Sequence, residues 1–98
     1  MLTILTPTYN RYHTLSRLFD SLCGQNNYDF EWLIVDDGST DDTNLLLQSF
    51  KNTAPFTIRI IYQENSGKHV AINAGVAAAA GDWIFIVDSY DQGERMSV

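Results

Sequence analysis

The sequence predicts an α/β domain on a parallel sheet, and three observations carry that expectation. Four short apolar runs alternate with three helical segments. The runs are apolar at consecutive positions, and polar clusters follow the first, second and fourth of them. Continuous apolarity marks strands buried on both faces, and strands separated by helices pair in parallel. The expected architecture is a Rossmann-like parallel sheet of four strands with helices on both faces.

Each element has a local reason. Residues 2–6 form an apolar strand, expected to stop at Pro7, which has no N–H to give a ladder. Leu15, Leu18, Phe19, Leu22 and Cys23 recur at helical spacing on one face, and Gly24 ends that helix. Cys23 on the apolar face reads as a buried structural thiol. Residues 30–35 form the second strand, followed by Asp36-Asp37-Gly38-Ser39-Thr40. Ser39 and Asp42 have capping-box spacing ahead of a helix carrying Leu45, Leu46 and Phe50. Asp41 and Asp42 then fall in its first turn, where negative charge is favourable. Ile58, Ile60, Ile61 and Tyr62 make the third strand, and Asn65-Ser66-Gly67 a turn. Residues 70–80 read as a helix of small side chains closed by Gly81, with Asn73, Gly75 and Ala79 packing against the sheet. Residues 83–87 are the fourth strand.

Composition narrows the function. The chain has 98 residues, enough for one core and one domain, and a net charge of −6. An acidic balance argues against a nucleic-acid binder or a polybasic membrane-surface module. One cysteine cannot build a disulfide framework, and no run approaches the length of a membrane span or a signal peptide's core. The expected location is therefore cytoplasmic. The surplus acidity is local: Asp36, Asp37, Asp41, Asp42, Asp88 and Asp91 account for it, and the other acidic and basic side chains balance. Ligands of open α/β sheets bind outside the carboxyl ends of the strands, where these loops gather. Carboxylates collected there call for compensation, and Mg²⁺ or Mn²⁺ with a substrate phosphate would supply it. For Asp36 and Asp37 two uses stand open: accepting hydrogen bonds from a base or ribose, or closing an Asx-turn. There is no G-x-G-x-x-G, no P-loop, and no evident partner for His13 or His69, so dehydrogenase, ATPase and hydrolase chemistry lack support.

Thr6-Pro7-Thr8-Tyr9-Asn10-Arg11 after the first strand, Val35-Asp36-Asp37-Gly38-Ser39-Thr40-Asp41-Asp42 after the second, Asn65-Ser66-Gly67-Lys68 opening the third helix, and Val87-Asp88-Ser89 after the fourth strand occur in that order. Together they resemble the family 2 glycosyltransferases of GT-A fold, over residues 2–89. The resemblance implies the donor-binding half of such a protein, taking a nucleotide-diphosphate sugar, with UDP the commonest nucleotide. It puts Pro7, Thr8 and Tyr9 around the base, Asp37 as the base-reading carboxylate with Asp36 beside it, and Lys68 near the phosphates. Asp88 and Asp91 are then the expected holders of Mg²⁺ or Mn²⁺. A role in cell-surface polysaccharide biosynthesis, at the cytoplasmic side and peripheral to the inner membrane, is implied in the same way.

The resemblance departs at Tyr90, which stands where the family's D-x-D element usually has its second acid. Residues 92–98 form an atypical tail, and the acceptor site and catalytic base are expected beyond Val98. The chain alone is thus expected to be a single domain, 1–98, that binds a donor without turning it over. The alternative is a non-catalytic nucleotide-binding or self-associating remnant, with a bared surface open to homodimerisation. A receiver-like signalling domain ranks last, because it wants its acidic pair after the first strand.

Overall fold

Seven elements alternate along the chain: β1 (Leu2–Thr8), α1 (Tyr12–Cys23), β2 (Phe30–Asp36), α2 (Thr43–Thr53), β3 (Thr57–Tyr62), α3 (Lys68–Ala78) and β4 (Trp83–Ile86). They come from a computed structural model that describes residues 1–88. The strands pair in parallel in the order β3-β2-β1-β4. The chain steps outward from β1 to β3 and then returns past β1 to place β4 on its other side. Parallel crossovers keep one hand, so reversing the direction of travel moves the crossover helix to the opposite face. Accordingly α1 and α2 cover one face and α3 the other.

Alternation along the strands sorts the core into two layers. Ile4, Trp32 and Ile34 point toward Leu15 of α1 and Leu47 and Phe50 of α2. The rings of Phe19 and Phe50 stack at 4.1 Å, and Trp32 joins them while its indole N–H donates to Thr6 Oγ1 at 3.0 Å. Leu5, Leu33 and Val35 point the other way, onto Ala71 of α3. α3 sits close because it is small-sided: a Cβ on Gly75 would collide with the end of the Leu5 side chain. Ala79 also packs there, whereas Asn73 is exposed and contributes nothing to that contact.

Several local expectations differ from the structure. β1 runs through Pro7 to Thr8, in register with Val35 and Asp36. Leu5 O accepts from Val87 on the β4 side and Thr8 O from Asp37 on the β2 side, so Pro7 faces the side where β4 has already ended. No ladder partner is lost there, and the proline is tolerated. The capping box does not form: Asp42 is the N-cap of α2 without a side-chain bond, and Asp41 Oδ1 accepts from Thr43 N instead, at 3.0 Å. Gly24 ends α1 but at φ −82°, without the left-handed turn. α3 stops at Ala78, and Gly81 is needed for a different reason, since a Cβ there would meet Met1 O at 2.6 Å. β4 was expected to be buried on both faces. Among the described residues it is an edge strand, with Trp83 75% exposed and Ile84, Phe85 and Ile86 also exposed.

The amino end of the sheet is fastened by a buried carboxylate. Glu31 Oε2 accepts from Thr3 Oγ1 at 2.6 Å and from Ala80 N at 2.8 Å, and Oε1 accepts from Arg59 Nη1 at 3.0 Å. Thr3 Oγ1 in turn accepts from Gly81 N at 2.9 Å. Desolvation is the largest single influence and pushes this carboxyl up. The bonds from Thr3, Ala80 and Arg59, with the Arg59 charge, outweigh it and hold Glu31 below its ordinary value. A carboxyl depressed in the folded state contributes stability that is present above its unfolded value and lost as pH falls through the folded one. Glu31→Gln, which cannot accept from all three donors, is expected to cost about 2 kcal/mol at neutral pH. It should also lose less stability than the parent between neutral pH and pH ~3, the range below the ordinary carboxyl value. Urea unfolding at the two pH values measures both.

Candidate functional site

The order of strands reverses between β1 and β4, and in open sheets such a switch point leaves a crevice outside the carboxyl ends. Around it lie the loop after β1, the loop after β2, the start of α3 and Asp88 after β4. Strand alternation divides the candidate residues between the faces. Thr8 and Asp36, in register, continue the layer under α1 and α2 and are buried. Pro7 continues the Leu5 layer on the α3 side. Asp37 bonds to the turn that opens α3, and Asp88 pairs with Lys68, so both belong to that side too.

Three side chains hold the loops. Asn10, at φ 51°, accepts on Oδ1 from Thr40 N at 2.8 Å and from Asp41 N at 3.2 Å, while its own N–H donates to Ser39 Oγ at 2.9 Å. Left-handed backbone is tolerated by asparagine more readily than by most residues. Asp36 Oδ1 accepts from Ser39 Oγ at 2.5 Å and from Ser39 N at 3.3 Å. Of the two uses open for Asp36, the turn-closing one is therefore present. Asp36 also borders a cavity of about 320 Å³ shared with Gly38, Ser39, Asn44, Tyr62 and Gln63. Asp37 is fully buried and its carboxylate accepts four bonds from residues 63–67, while its own N–H donates to Thr8 O at 2.9 Å.

At the crevice the Lys68 ammonium pairs with the Asp88 carboxylate, both side chains half-buried. The resemblance implies a cation near phosphate and an anion near a metal; the fold sets the two against each other. Thr8 Oγ1 is buried without a hydrogen-bond partner among the described residues, as is Thr43 Oγ1. Tyr9, next to Thr8 in sequence, is half-buried, and Asp91, Tyr90 and the tail 92–98 lie outside the described residues. Among the described residues no group of three or more His, Cys, Asp or Glu could hold a metal ion. Asp88 carries a carboxylate, the donor type that a hard divalent cation takes, and in this structure it is paired with the ammonium of Lys68. Cys23 is a half-buried thiol that burial, with the charge of Asp20, pushes up, consistent with a structural role.

The sequence reading missed Asn10, Ser39, Gln63 and Asn65 as organisers of this edge. Their polar types in loops carry little signal alone. Asn10 at a strand-to-helix turn, where a left-handed residue is common, was the legible hint.

A parallel α/β sheet with charged loops around a strand-order reversal is a Rossmann-like arrangement, a class in which ligands bind outside the carboxyl ends of the strands. Residues 3–93 match the Glycosyl transferase family 2 profile, and the chain belongs to that family. It is 38% identical over 90 residues to an uncharacterized glycosyltransferase of Nostoc, covering 92% of this chain and 28% of that protein. It is 32% identical over 96 residues to the putative teichuronic acid biosynthesis glycosyltransferase TuaG of Bacillus subtilis, covering 97% and 38%. Among solved structures, the mannosyltransferase PcManGT of Pyrobaculum calidifontis, in complex with GDP-Man and Mn²⁺, superposes with a TM-score of 0.83 at 28% identity. TarS 1–349 of S. aureus in complex with UDP gives 0.77 at 30%; each comparison covers 90% of this chain and 27% of the other. The fold is thus GT-A, and the chain spans 28% and 38% of the two relatives' lengths. No helix among the described residues is long and apolar enough to cross a membrane.

Asn10→Ala removes the acceptor for two loop N–H groups and puts alanine at positive φ, and is expected to destabilise by about 2 kcal/mol. Asn10→Gly relieves the backbone strain and should recover only the smaller part. Amide exchange at Thr40 and Asp41 should accelerate in both; unchanged exchange would show that Asn10 does not hold this loop.

Proposed function

We propose that the crevice between the carboxyl ends of β1 and β4 binds a nucleotide-diphosphate sugar, a UDP-sugar first, as the donor half of an inverting glycosyl transfer. The observation that carries this reading is the Lys68–Asp88 ion pair at the switch point, beside the loop of Pro7, Thr8 and Tyr9. A diphosphate is the ligand that uses both charges: its oxygens suit the ammonium, and a cation neutralising it suits the carboxylate. Pro7, Thr8 and Tyr9 border the base, Tyr9 offering a flat face, with the Asp36 and Asp37 loop alongside. Asp88, with Asp91 after it, would hold Mg²⁺ or Mn²⁺, which when bound offsets charge on the leaving diphosphate.

In the transfer, an acceptor hydroxyl loses its proton to a carboxylate base and its oxygen bonds to the anomeric carbon. The bond from that carbon to the diphosphate oxygen breaks on the opposite side, so the configuration inverts and the nucleoside diphosphate departs. The base is assigned to no residue of this chain. The UDP and GDP-Man complexes support the ligand class, and the name of TuaG supports a role in cell-surface polysaccharide biosynthesis. A second reading, self-association without catalysis, is favoured by one observation, the apolar β4 edge that is exposed among the described residues; such an edge is a template for another strand.

Titration of labelled protein with UDP, with and without Mn²⁺, tests the donor site. Shifts are expected at Tyr9, Gly67, Lys68 and Asp88, and Lys68→Ala should weaken binding about tenfold, the loss of one charge-assisted contact. No shift at these positions with millimolar UDP would sink the reading. A concentration-dependent dimer with no nucleotide shift would favour the second.

A further inference from the structure

We propose that the cavity between the end of β3 and the start of α2 is a second ligand site, one that takes a single uncharged sugar ring. It lies on the other side of the β2 loop from the crevice. Asp36 and Tyr62 are in register on β2 and β3 and belong to the face that α2 covers, where Gln48 of α2 donates to the Tyr62 hydroxyl at 2.8 Å. The cavity shares no residue with the Lys68–Asp88 pair, so the inference stands apart from the donor-site reading. Its walls are fixed before anything enters. Gln63 N donates to Asp36 O at 3.0 Å, tying the ends of β2 and β3 together, and Ser39 Oγ and N donate to Asp36 Oδ1. A site held in this way spares its ligand the cost of ordering it.

The polar groups left unspent define the ligand. Asp36 is only 4% exposed, yet among the described residues its Oδ2 receives no hydrogen bond and no cation pairs with the carboxylate. The sealed polar atoms without a partner are Thr8 Oγ1 and Thr43 Oγ1; Asp36 Oδ2 is not one of them, so it is reached from the cavity that Asp36 lines. A nearly buried carboxylate oxygen without a donor is costly, and a ligand that donates to it offsets that cost. Gln63 gives Nε2 to Asp37 and leaves Oε1 uncommitted, and the Asn44 side chain has no bond among the described residues. The Tyr62 hydroxyl accepts from Gln48 and keeps its own proton to donate. Acceptors therefore dominate, which calls for a ligand with several adjacent hydroxyl donors. No lysine, arginine or histidine lines the cavity among the described residues, so a phosphate or nucleotide has no charge partner there. A single carboxylate is too little charge to hold a divalent cation. Tyr62, 49% exposed, adds a ring, and the C–H face of a pyranose suits the negative face of an aromatic. A volume of about 320 Å³ is at the small end for ligand cavities, with room for one sugar ring rather than a chain.

The test titrates the labelled full chain with the methyl glycosides of glucose, galactose, mannose and N-acetylglucosamine, each to ~50 mM, enough to fill a site of millimolar Kd. At least one is expected to shift the amides of Ser39, Asn44, Tyr62 and Gln63 while those of Lys68 and Asp88 stay in place. Asn44→Ala and Tyr62→Val alter exposed side chains, and each should weaken binding of that glycoside about fivefold. Asp36→Asn, which also loosens the Ser39 turn, should weaken it about tenfold. Sorbitol, with the hydroxyls but no ring, should bind more weakly than the glycoside by a similar factor. No shift at the four amides with any of the glycosides overturns the proposal, as does unchanged affinity in both Asn44→Ala and Tyr62→Val. Shifts centred on Tyr9, Lys68 and Asp88 would put the sugar in the crevice instead, and equal shifts with methylammonium chloride would make this a cation site; either also overturns it. A chain that binds the glycoside here and ignores UDP would refute the donor-site reading and leave this one standing.

Discussion

Three loops leave the carboxyl edge of the sheet carrying backbone N–H groups that no strand can satisfy, and each unsatisfied group costs free energy once buried. Asn10, Asp36 and Asp37 take those N–H groups with side-chain oxygens. The consequence is a rim made rigid by polar side chains rather than by packing. Each of the three bonds to a loop or turn other than the backbone it stands on, or folds its own loop back, so the crevice keeps its outline before anything enters it. Preorganisation of this kind lowers the ordering cost that a ligand would otherwise meet.

The same accounting explains the acidity. Of the acids that give the chain its surplus, Asp36 and Asp37 accept internal hydrogen bonds, Asp41 closes the turn before α2, and Asp88 is matched by Lys68. Little of the described negative charge is left pointing at the crevice unopposed. A polyanionic ligand approaching it would meet an ammonium already held in place by a carboxylate.

The fold was legible because apolar runs and helical spacing report burial directly: all four strands and all three helices fall where Leu15, Phe50, Ile58 and their neighbours require them. Two things were not legible. Burial of β4 was overestimated, because its composition, Trp-Ile-Phe-Ile, does not say whether a helix lies above it; that depends on how far α1 and α3 reach across the sheet. The internal bonding of Asp37 and Glu31 was also hidden, because a buried carboxylate and an exposed one read alike until their donors, 26 to 49 residues away, are brought near. The positions of Pro7, Lys68 and Asp88 near one crevice were recoverable from motif order; their pairing was not.

β4 joins the sheet through four register positions on one side only, and its partner β1 is the other end of the described chain. Closing a loop of that length carries the largest entropic toll of the strand pairings among the described residues, and an exposed strand returns the least burial for it. Strand β4 is therefore the natural candidate for the last element to dock during folding and the first to open in the native ensemble. Asp88 travels with it. A ligand that engaged both Lys68 and Asp88 would act as a fastener across the longest loop, and its binding energy would appear as protection of the weakest strand as well as occupancy of the crevice.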